Sequence, residues 1–206
     1  MSAGHAAIVL AAGGSTRLGR PKQLLRRDGE SLVARTVRLA AETRPLCLLV
    51  LLGGHHAAVA AECAAVRAAG VERVHVAAWQ TGLSASLRAA AQALQAHRGA
   101  VLVTGVDQPA LNALHLQALL DGARGARSGC SAVMHGERPG APAVLSPALF
   151  ARVDTLEGDR GFGALLAAIP GDDLFRLQAP SLMQDIDTPE DVQHALAAGL
   201  LDPGMP

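Results

Sequence analysis

Short, uninterrupted apolar runs alternate along the chain with alanine-rich stretches of helical spacing. The strand-like runs are Ala6–Leu10, Cys47–Leu52, Arg73–Ala77, Ala100–Thr104, Ser131–His135, Ala143–Leu145 and Asp173–Leu177. Most are continuous rather than alternating, the pattern of strands covered on both faces. Ser31 is placed to N-cap a helix that carries Val33, Val37 and Ala40 on one side. Further helices are expected near 57–69, 84–97, 113–124, 147–153, 161–168 and 189–198. This rhythm predicts βαβ units: a parallel or mostly parallel sheet with helices on both sides. No repeat or linker divides the 206 residues, so a single domain, 1–206, is expected, with a frayed end after Gly199.

Composition narrows the function classes. Half the residues are apolar and 17% are charged, which is globular. Lys+Arg and Asp+Glu are equal at 18 each, against the basic surplus of a nucleic-acid binder. Cys47, Cys63 and Cys130 lie far apart, with no C-x-x-C spacing for a thiolate zinc site. Their odd number fits reduced thiols in a cytosolic protein. No basic start precedes the first apolar run, so no signal peptide is expected. The longest uncharged stretch, Pro45 to Ala61, holds Gly53-Gly54-His55-His56 and reads as strand, turn and helix start, not a membrane span. His55 and His56 belong to that helix start, since adjacent side chains rarely face one cation.

The first strand opens into "AIVLAAGGSTRLGRPKQLL", residues 7–25. A strand, a glycine loop and then a helix suit phosphate, because backbone N–H groups converge and glycine allows close approach. The cations Arg17, Arg20, Lys22, Arg26 and Arg27 crowd residues 17–27, with Asp28 the nearby acid. Two familiar patterns fail. Glycines at 13, 14 and 19 do not make G-x-G-x-x-G, and Arg20-Pro21 stands where a P-loop needs Lys-Ser/Thr. Pro21 also disfavours a helical Arg20. In open α/β sheets ligands sit beyond the carboxyl ends of the strands. Asp107-Gln108-Pro109 occupies such a position too, after "AVLVTGV".

"VLAAGGSTRLGRPKQLL" resembles the signature L-A-[AG]-G-x-S-x-R-[ML]-G-x-x-K of the MobA/MocA-type nucleotidyltransferases. "WQTGLSASL" (79–87), "DQP" (107–109) and "DIDTPEDV" (185–192) resemble three further motifs of that family in the same order. The Ala-Ala-Gly form, with "PKQLL" and "DQP", is most similar to the molybdenum cofactor cytidylyltransferase branch. The resemblance implies a Rossmann-like three-layer α/β/α sandwich around a mostly parallel, mixed sheet. It also implies a phosphate acceptor attacking the α-phosphorus of CTP, with Mg²⁺ (or Mn²⁺) and release of pyrophosphate. The acceptor would be molybdenum-bound molybdopterin, and a client molybdoenzyme would be a partner. Such chemistry needs positioning and charge neutralisation more than a strong base.

Carried onto this chain, the loop Ala11, Ala12, Gly13, Gly14 and Ser15 would receive the nucleotide. Lys22 would face the α-phosphate and Arg17 the β/γ-phosphates, where a guanidinium fork suits oxygen pairs. Asp107 ends a buried strand without a packing purpose, and a hard cation would explain it. The family pattern favours Asp187 as second metal ligand, with Asp185 in reserve. Thr188, Pro189, Glu190 and Asp191 are explained by helix initiation alone. Gly82, Ser84 and Ser86 suit a base or ribose pocket, one serine serving equally as an N-cap. Trp79 fits core filling better than shielding. Two segments depart from the family: Ala141 in "ERPGAPAVL" replaces a histidine, and Phe162-Gly163 in "GDRGFG" replaces Ala-Arg. Both segments bear on the acceptor, which keeps open a different phosphate acceptor or nucleotide, or a carrier that inserts a finished cofactor.

Overall fold

The computed structural model describes residues 4–64, 66 and 70–204. Its centre is β1 (Ala6–Ala11), whose residues alternate between two apolar layers. Ala6 and Ile8 pack into one, Ala7, Val9 and Ala11 into the other. That is why the run is apolar throughout. A hairpin, β2 (Arg26–Arg27) and β3 (Glu30–Ser31), leads into helix α1 (Leu32–Glu42). Ser31 caps α1 as expected, its Oγ accepting from the Ala34 N–H, and Val33, Val37 and Ala40 are buried. β4 (Cys47–Leu52), α2 (His56–Ala64), β5 (Val71–His75), α3 (Leu83–Ala93) and β6 (Val101–Gly105) complete the parallel part.

The second half contains α4 (Ala113–Gly125), the antiparallel pair β7 (Ser131–His135) and β8 (Arg138–Leu145), short helices α5 (Pro147–Phe150) and α6 (Gly163–Ala167), β9 (Phe175–Leu177) and α7 (Pro189–Ala197). The seven-stranded sheet runs β5-β4-β1-β6-β8-β7-β9, and only the two pairings of β8 are antiparallel. α1, α2 and α4 cover one face; α3, α5 and α6 cover the other. The three-layer sandwich with a mostly parallel, mixed sheet is therefore the observed fold. Strand β1 is left by α1 toward β4 on one side while β6 lies on the other, so a crevice opens at their carboxyl ends.

Several expectations are corrected. From Gly199 to Gly204 the chain is not frayed: Leu201 is buried with Leu18, Leu25 and Ile186, and the Asp202 carboxylate accepts from the N–H groups of Asp28 and Gly29, while residues 205 and 206 lie outside those described. The β2–β3 hairpin was not anticipated. Its Asp28-Gly29 turn has both residues at positive φ, 55° and 76°, the two-residue turn that Asp-Gly favours. α3 ends at Ala93 rather than near 97, and α6 is shorter than 161–168. Of the helix expected at 57–69, residues 65 and 67–69 lie outside those described.

Candidate active site

Ser15 folds the loop after β1. At φ 52° it occupies the left-handed region, its carbonyl accepts from Gly19 N–H, and its Oγ accepts from Lys22 N–H at 3.1 Å. Pro21 prevents a helix from starting at once; a single 3₁₀ turn, Lys22–Leu24, follows instead. Gln23, which sequence reasoning passed over, is buried within this turn. Its Nε2 donates to the carbonyls of Ala11 and Gly13 at 3.0 and 2.7 Å, fastening the loop to the end of β1. A long polar side chain one position after the signature lysine was the available signal.

The turn aims Lys22 across the crevice. Its Nζ donates to Asp107 Oδ2 at 3.0 Å, to Asp187 Oδ1 at 2.7 Å and to the Ile186 carbonyl at 3.1 Å. Arg17 donates to the other oxygen of Asp187 at 2.8 Å. Lys22, Arg17, Asp107 and Asp187, drawn from three distant segments, are thus one cluster. Burial works to lower the Lys22 pKa, but the charge and hydrogen bonds of Asp107 and Asp187 outweigh it and raise it, so the ammonium persists. Burial likewise works to raise Asp187, but Lys22 and then Arg17 hold its carboxyl below the usual range. Asp187 is fixed from behind by a capping box: Asp191 accepts from the N–H groups of Asp187 and Thr188, and Thr188 Oγ1 accepts from Asp191 N–H. Ile186 points into the core, as two-residue alternation requires.

Asp185 stands apart. Burial first, and the Asp107 charge second, raise its pKa against the opposing pull of the Gln108 amide, and its Oδ1 has no donor within hydrogen-bond distance. Gln108 is its neighbour: Nε2 donates to the Leu182 carbonyl at 3.2 Å, while Oε1 is also buried and unpartnered.

A cavity of about 630 Å³ opens beside the cluster, lined by Ala12, Gly13, Gly14, Lys22, Asp107, Trp79 and Gly82. Ala141 and Asp159 also line it, Asp159 beside Gly82. Ala11 and Ser15 shape the loop from behind rather than facing the cavity. Of the serines, Ser86 reaches the lining, while Ser84 is buried and its Oγ meets no partner. Neither caps α3, which begins after Gly82 without a side-chain cap. Gly82 has φ 109°, and a Cβ there would lie 2.4 Å from the Gly158 backbone; the close approach lets Ser84 N–H bond the Gly158 carbonyl. Trp79, expected as core, both packs on the α3 layer and lines the cavity. A larger hollow of about 800 Å³ lies beside the β2–β3 hairpin, but its charges meet one another, Arg26 with Glu62 and Arg38 with Glu30 and Glu42.

The donors at the cluster are oxygens, and the two carboxylates already converge on one positive charge. That fits a hard divalent cation. Among the described residues no group of three or more His, Cys, Asp or Glu side chains is arranged for a metal, so the remaining positions of such an ion would fall to phosphate oxygens and water. Among those residues, too, no helix is long and apolar enough to cross a membrane.

Comparison with known proteins places this geometry. A family model described as the MobA-like NTP transferase domain matches residues 7–174. The crystal structure of the Rv0371c homologue from Mycobacterium sp. strain JC1 superposes with a TM-score of 0.78 at 28% identity, covering 97% of this chain and 98% of the other. A nucleotidyl transferase from Methanothermobacter shares the fold at TM-score 0.73 and 23% identity, covering 96% and 98%. The bifunctional protein GlmU of Anaeromyxobacter dehalogenans strain 2CP-C is 36% identical over 137 residues, 65% of this chain but 28% of that protein. The chain thus spans little more than a quarter of the curated relatives it matches.

Proposed function

The chain belongs to the MobA-like NTP transferase family, and from that premise we propose that it carries out Mg²⁺-dependent transfer of CMP from CTP to the phosphate of molybdenum-bound molybdopterin. The observation that carries the reading is the Lys22 ammonium between Asp107 and Asp187, beside a cavity roofed by the Gly13-Gly14 loop. The Ala12 methyl group at that cavity narrows the space beside the loop and supports the smaller pyrimidine. A structural neighbour, Rv0371c of Mycobacterium tuberculosis, has been crystallised with manganese, and its fold is this one at 24% identity.

In the proposed reaction an oxygen of the acceptor phosphate forms a bond to the α-phosphorus, and the bond from that phosphorus to the pyrophosphate oxygen breaks. The acceptor is a phosphate monoester, mostly ionised at pH 7 with its second pKa near about 6, so no general base is required. Asp107 and Asp187 would hold the divalent cation, which neutralises phosphate charge and polarises the phosphoryl oxygens when bound. Lys22, kept protonated, exchanges a carboxylate partner for the α-phosphate and meets the charge that develops there. Arg17 is 71% exposed and carries its fork at the crevice mouth, where β- and γ-phosphate oxygens would lie. The loop N–H groups orient the triphosphate.

A second reading, the same transfer to another phosphate acceptor or from another nucleotide, is favoured by the acceptor side. Phe162 is buried in the core rather than presented to a ligand, and Ala141 offers the cavity no polar side chain. Pyrophosphate release from CTP, GTP, ATP and UTP, each with purified molybdopterin and with a plain phosphomonoester, tests both. Release from CTP that requires molybdopterin supports the first; release with no nucleotide overturns nucleotidyl transfer.

A further inference from the structure

Two glycine pairs sit at the carboxyl ends of neighbouring parallel strands, Gly13-Gly14 after β1 and Gly53-Gly54 after β4, where Ala11 and Leu52 are register partners. Trp79 lies against three of the four, and at Gly14 its ring is the nearest neighbour. A Cβ on Gly14 would lie 2.7 Å from Trp79 Cζ3, and one on Gly53 would lie 2.5 Å from the Ala12 carbonyl oxygen and 2.6 Å from Trp79 Cβ. A Cβ on Gly54 would lie 2.9 Å from Gly14 Cα and 3.3 Å from Trp79 Cη2. Gly54 N–H also donates to the Ala12 carbonyl at 2.9 Å, closing the turn onto the loop. Gly13, by contrast, has open space where its side chain would be. The phosphate loop therefore has one face free to the cavity and one face pressed on an indole. Trp79 is the only tryptophan of the chain, and it is half-buried because its remaining surface lines the same cavity.

Resting on the nucleotidyl-transfer reading above, we infer that Trp79 is a positioning residue that holds the Gly13-Gly14 loop in its nucleotide-receiving form. Consecutive glycines lose more conformational freedom on ordering than any other residues. Without the ring, binding a triphosphate would have to order the loop as well, and affinity would fall. Lys22, Asp107 and Asp187 are held by other contacts, from Ser15, from one another and from the α7 capping box, so the chemical step itself would be little changed.

The test is nucleotide binding by equilibrium dialysis with CTP and Mn²⁺, together with steady-state kinetics, for the wild type, Trp79→Ala, Trp79→Phe, Trp79→Leu and Gly14→Ala. Trp79→Ala is expected to weaken CTP binding and raise KM by about tenfold while kcat changes less than about threefold. Phenylalanine should recover most of the loss. Gly14→Ala should show the same KM-weighted pattern, since its methyl must displace the ring or the loop. Should Trp79→Ala not fold, Trp79→Leu, which keeps apolar cover without a ring, is expected to show the same loss. In the wild type, emission from this single tryptophan should change as CTP saturates. Unchanged CTP affinity in Trp79→Ala or Trp79→Leu, or a loss confined to kcat, overturns the inference while leaving nucleotidyl transfer intact. A wild type that binds no nucleoside triphosphate overturns both.

Discussion

The two sides of the cavity are built on different principles. On the proposed nucleotide side the loop and the carboxylate cluster are paired inside the protein, Gln23 with the loop carbonyls, Ser15 with Lys22, Lys22 with two carboxylates and Arg17 with Asp187, while Ser84 Oγ alone among the named groups there is buried without a partner. On the proposed acceptor side, behind Ala141, Asp185 Oδ1 and Gln108 Oε1 are buried without donors, and Ala141 and Phe162 bring no polar reach. A buried acceptor without a partner carries a penalty of roughly 1–3 kcal/mol, which a preformed network avoids. The Lys22 cluster and its loop are thus set before any ligand arrives, as the proposed phosphoryl chemistry by positioning requires. The proposed acceptor side has hydrogen-bonding capacity left over.

The sharpest way to break this comparison is to remove a carboxylate from the prearranged side. Asp107→Asn should abolish turnover, by about 1,000-fold or more, because transition-state neutralisation worth several kcal/mol goes with it. Circular dichroism should show the fold intact, Asp107 being only partly buried. Near-normal rates at ordinary Mg²⁺ would end its assignment as a metal ligand.

Next in size is the contrast between the two C-terminal acids, one on each side of the comparison. Asp187→Ala deprives Lys22 and Arg17 of a shared partner and would deprive the proposed cation of a ligand. Asp185→Ala removes a carboxylate whose ionised form is already disfavoured by burial and by Asp107. Activity should fall far more for Asp187→Ala, while the melting temperature of Asp185→Ala should hold or rise. The reverse order in kcat/KM would transfer the ligand role to Asp185.

The same contrast explains what could be read from sequence. The signature from Ala7 to Leu25, DQP and DIDTPED each combine a fixed local geometry with residue types that chemistry demands, so Lys22, Asp107 and Asp187 were legible although 165 residues separate the first and last. Continuous apolar runs gave the strands because burial on both faces leaves no alternation to disguise them. What stayed hidden depends on long-range packing. Gln23 looks like any surface glutamine until the loop folds over it. The end after Gly199 has the composition of a loose tail, and it is held by burial of Leu201 and by the hairpin N–H groups that Asp202 meets, neither of which the local sequence announces. Ser84 carries the same hydroxyl as Ser86, and helix phase alone turns one to the cavity and the other into the core. Trp79 is ambiguous in sequence because it serves both purposes.

Base choice sharpens the comparison on its nucleotide side. With a methyl at position 12 beside the cavity, CTP should be preferred over GTP in kcat/KM, where discrimination appears as differential transition-state binding. A mispaired polar edge costs about 1–3 kcal/mol, roughly 5- to 150-fold. Ala12→Gly should narrow that ratio without inverting it. Equal values for CTP and GTP in the wild type would remove the support for a cytidylyl transfer and leave the carboxylate cluster untouched.

The smallest expected effect comes from the foot of the sheet, remote from both sides of the cavity, and serves as their control. His5 precedes β1, with Nε2 2.9 Å from Thr43 Oγ1. Burial first, then the charges of Arg124 and His97, lower its pKa from the ordinary 6.5. Since the folded protein resists a proton that the unfolded chain accepts near pH 6.5, the unfolded state binds more protons in the window below that value, and stability rises with pH there. His5 should therefore cost nothing above about pH 7. Its penalty should grow as the pH falls below the unfolded value and become constant once both states are protonated. His5→Gln, which can still bond Thr43 without taking a charge, should flatten the fall in denaturation midpoint between about pH 7 and 5. It should leave kcat and KM for CTP unchanged at pH 7.5, because the carboxylate cluster lies at the opposite ends of the same strands. An equally steep fall in the variant would assign the acid sensitivity elsewhere. A shift in KM would show that the two ends of the sheet are coupled.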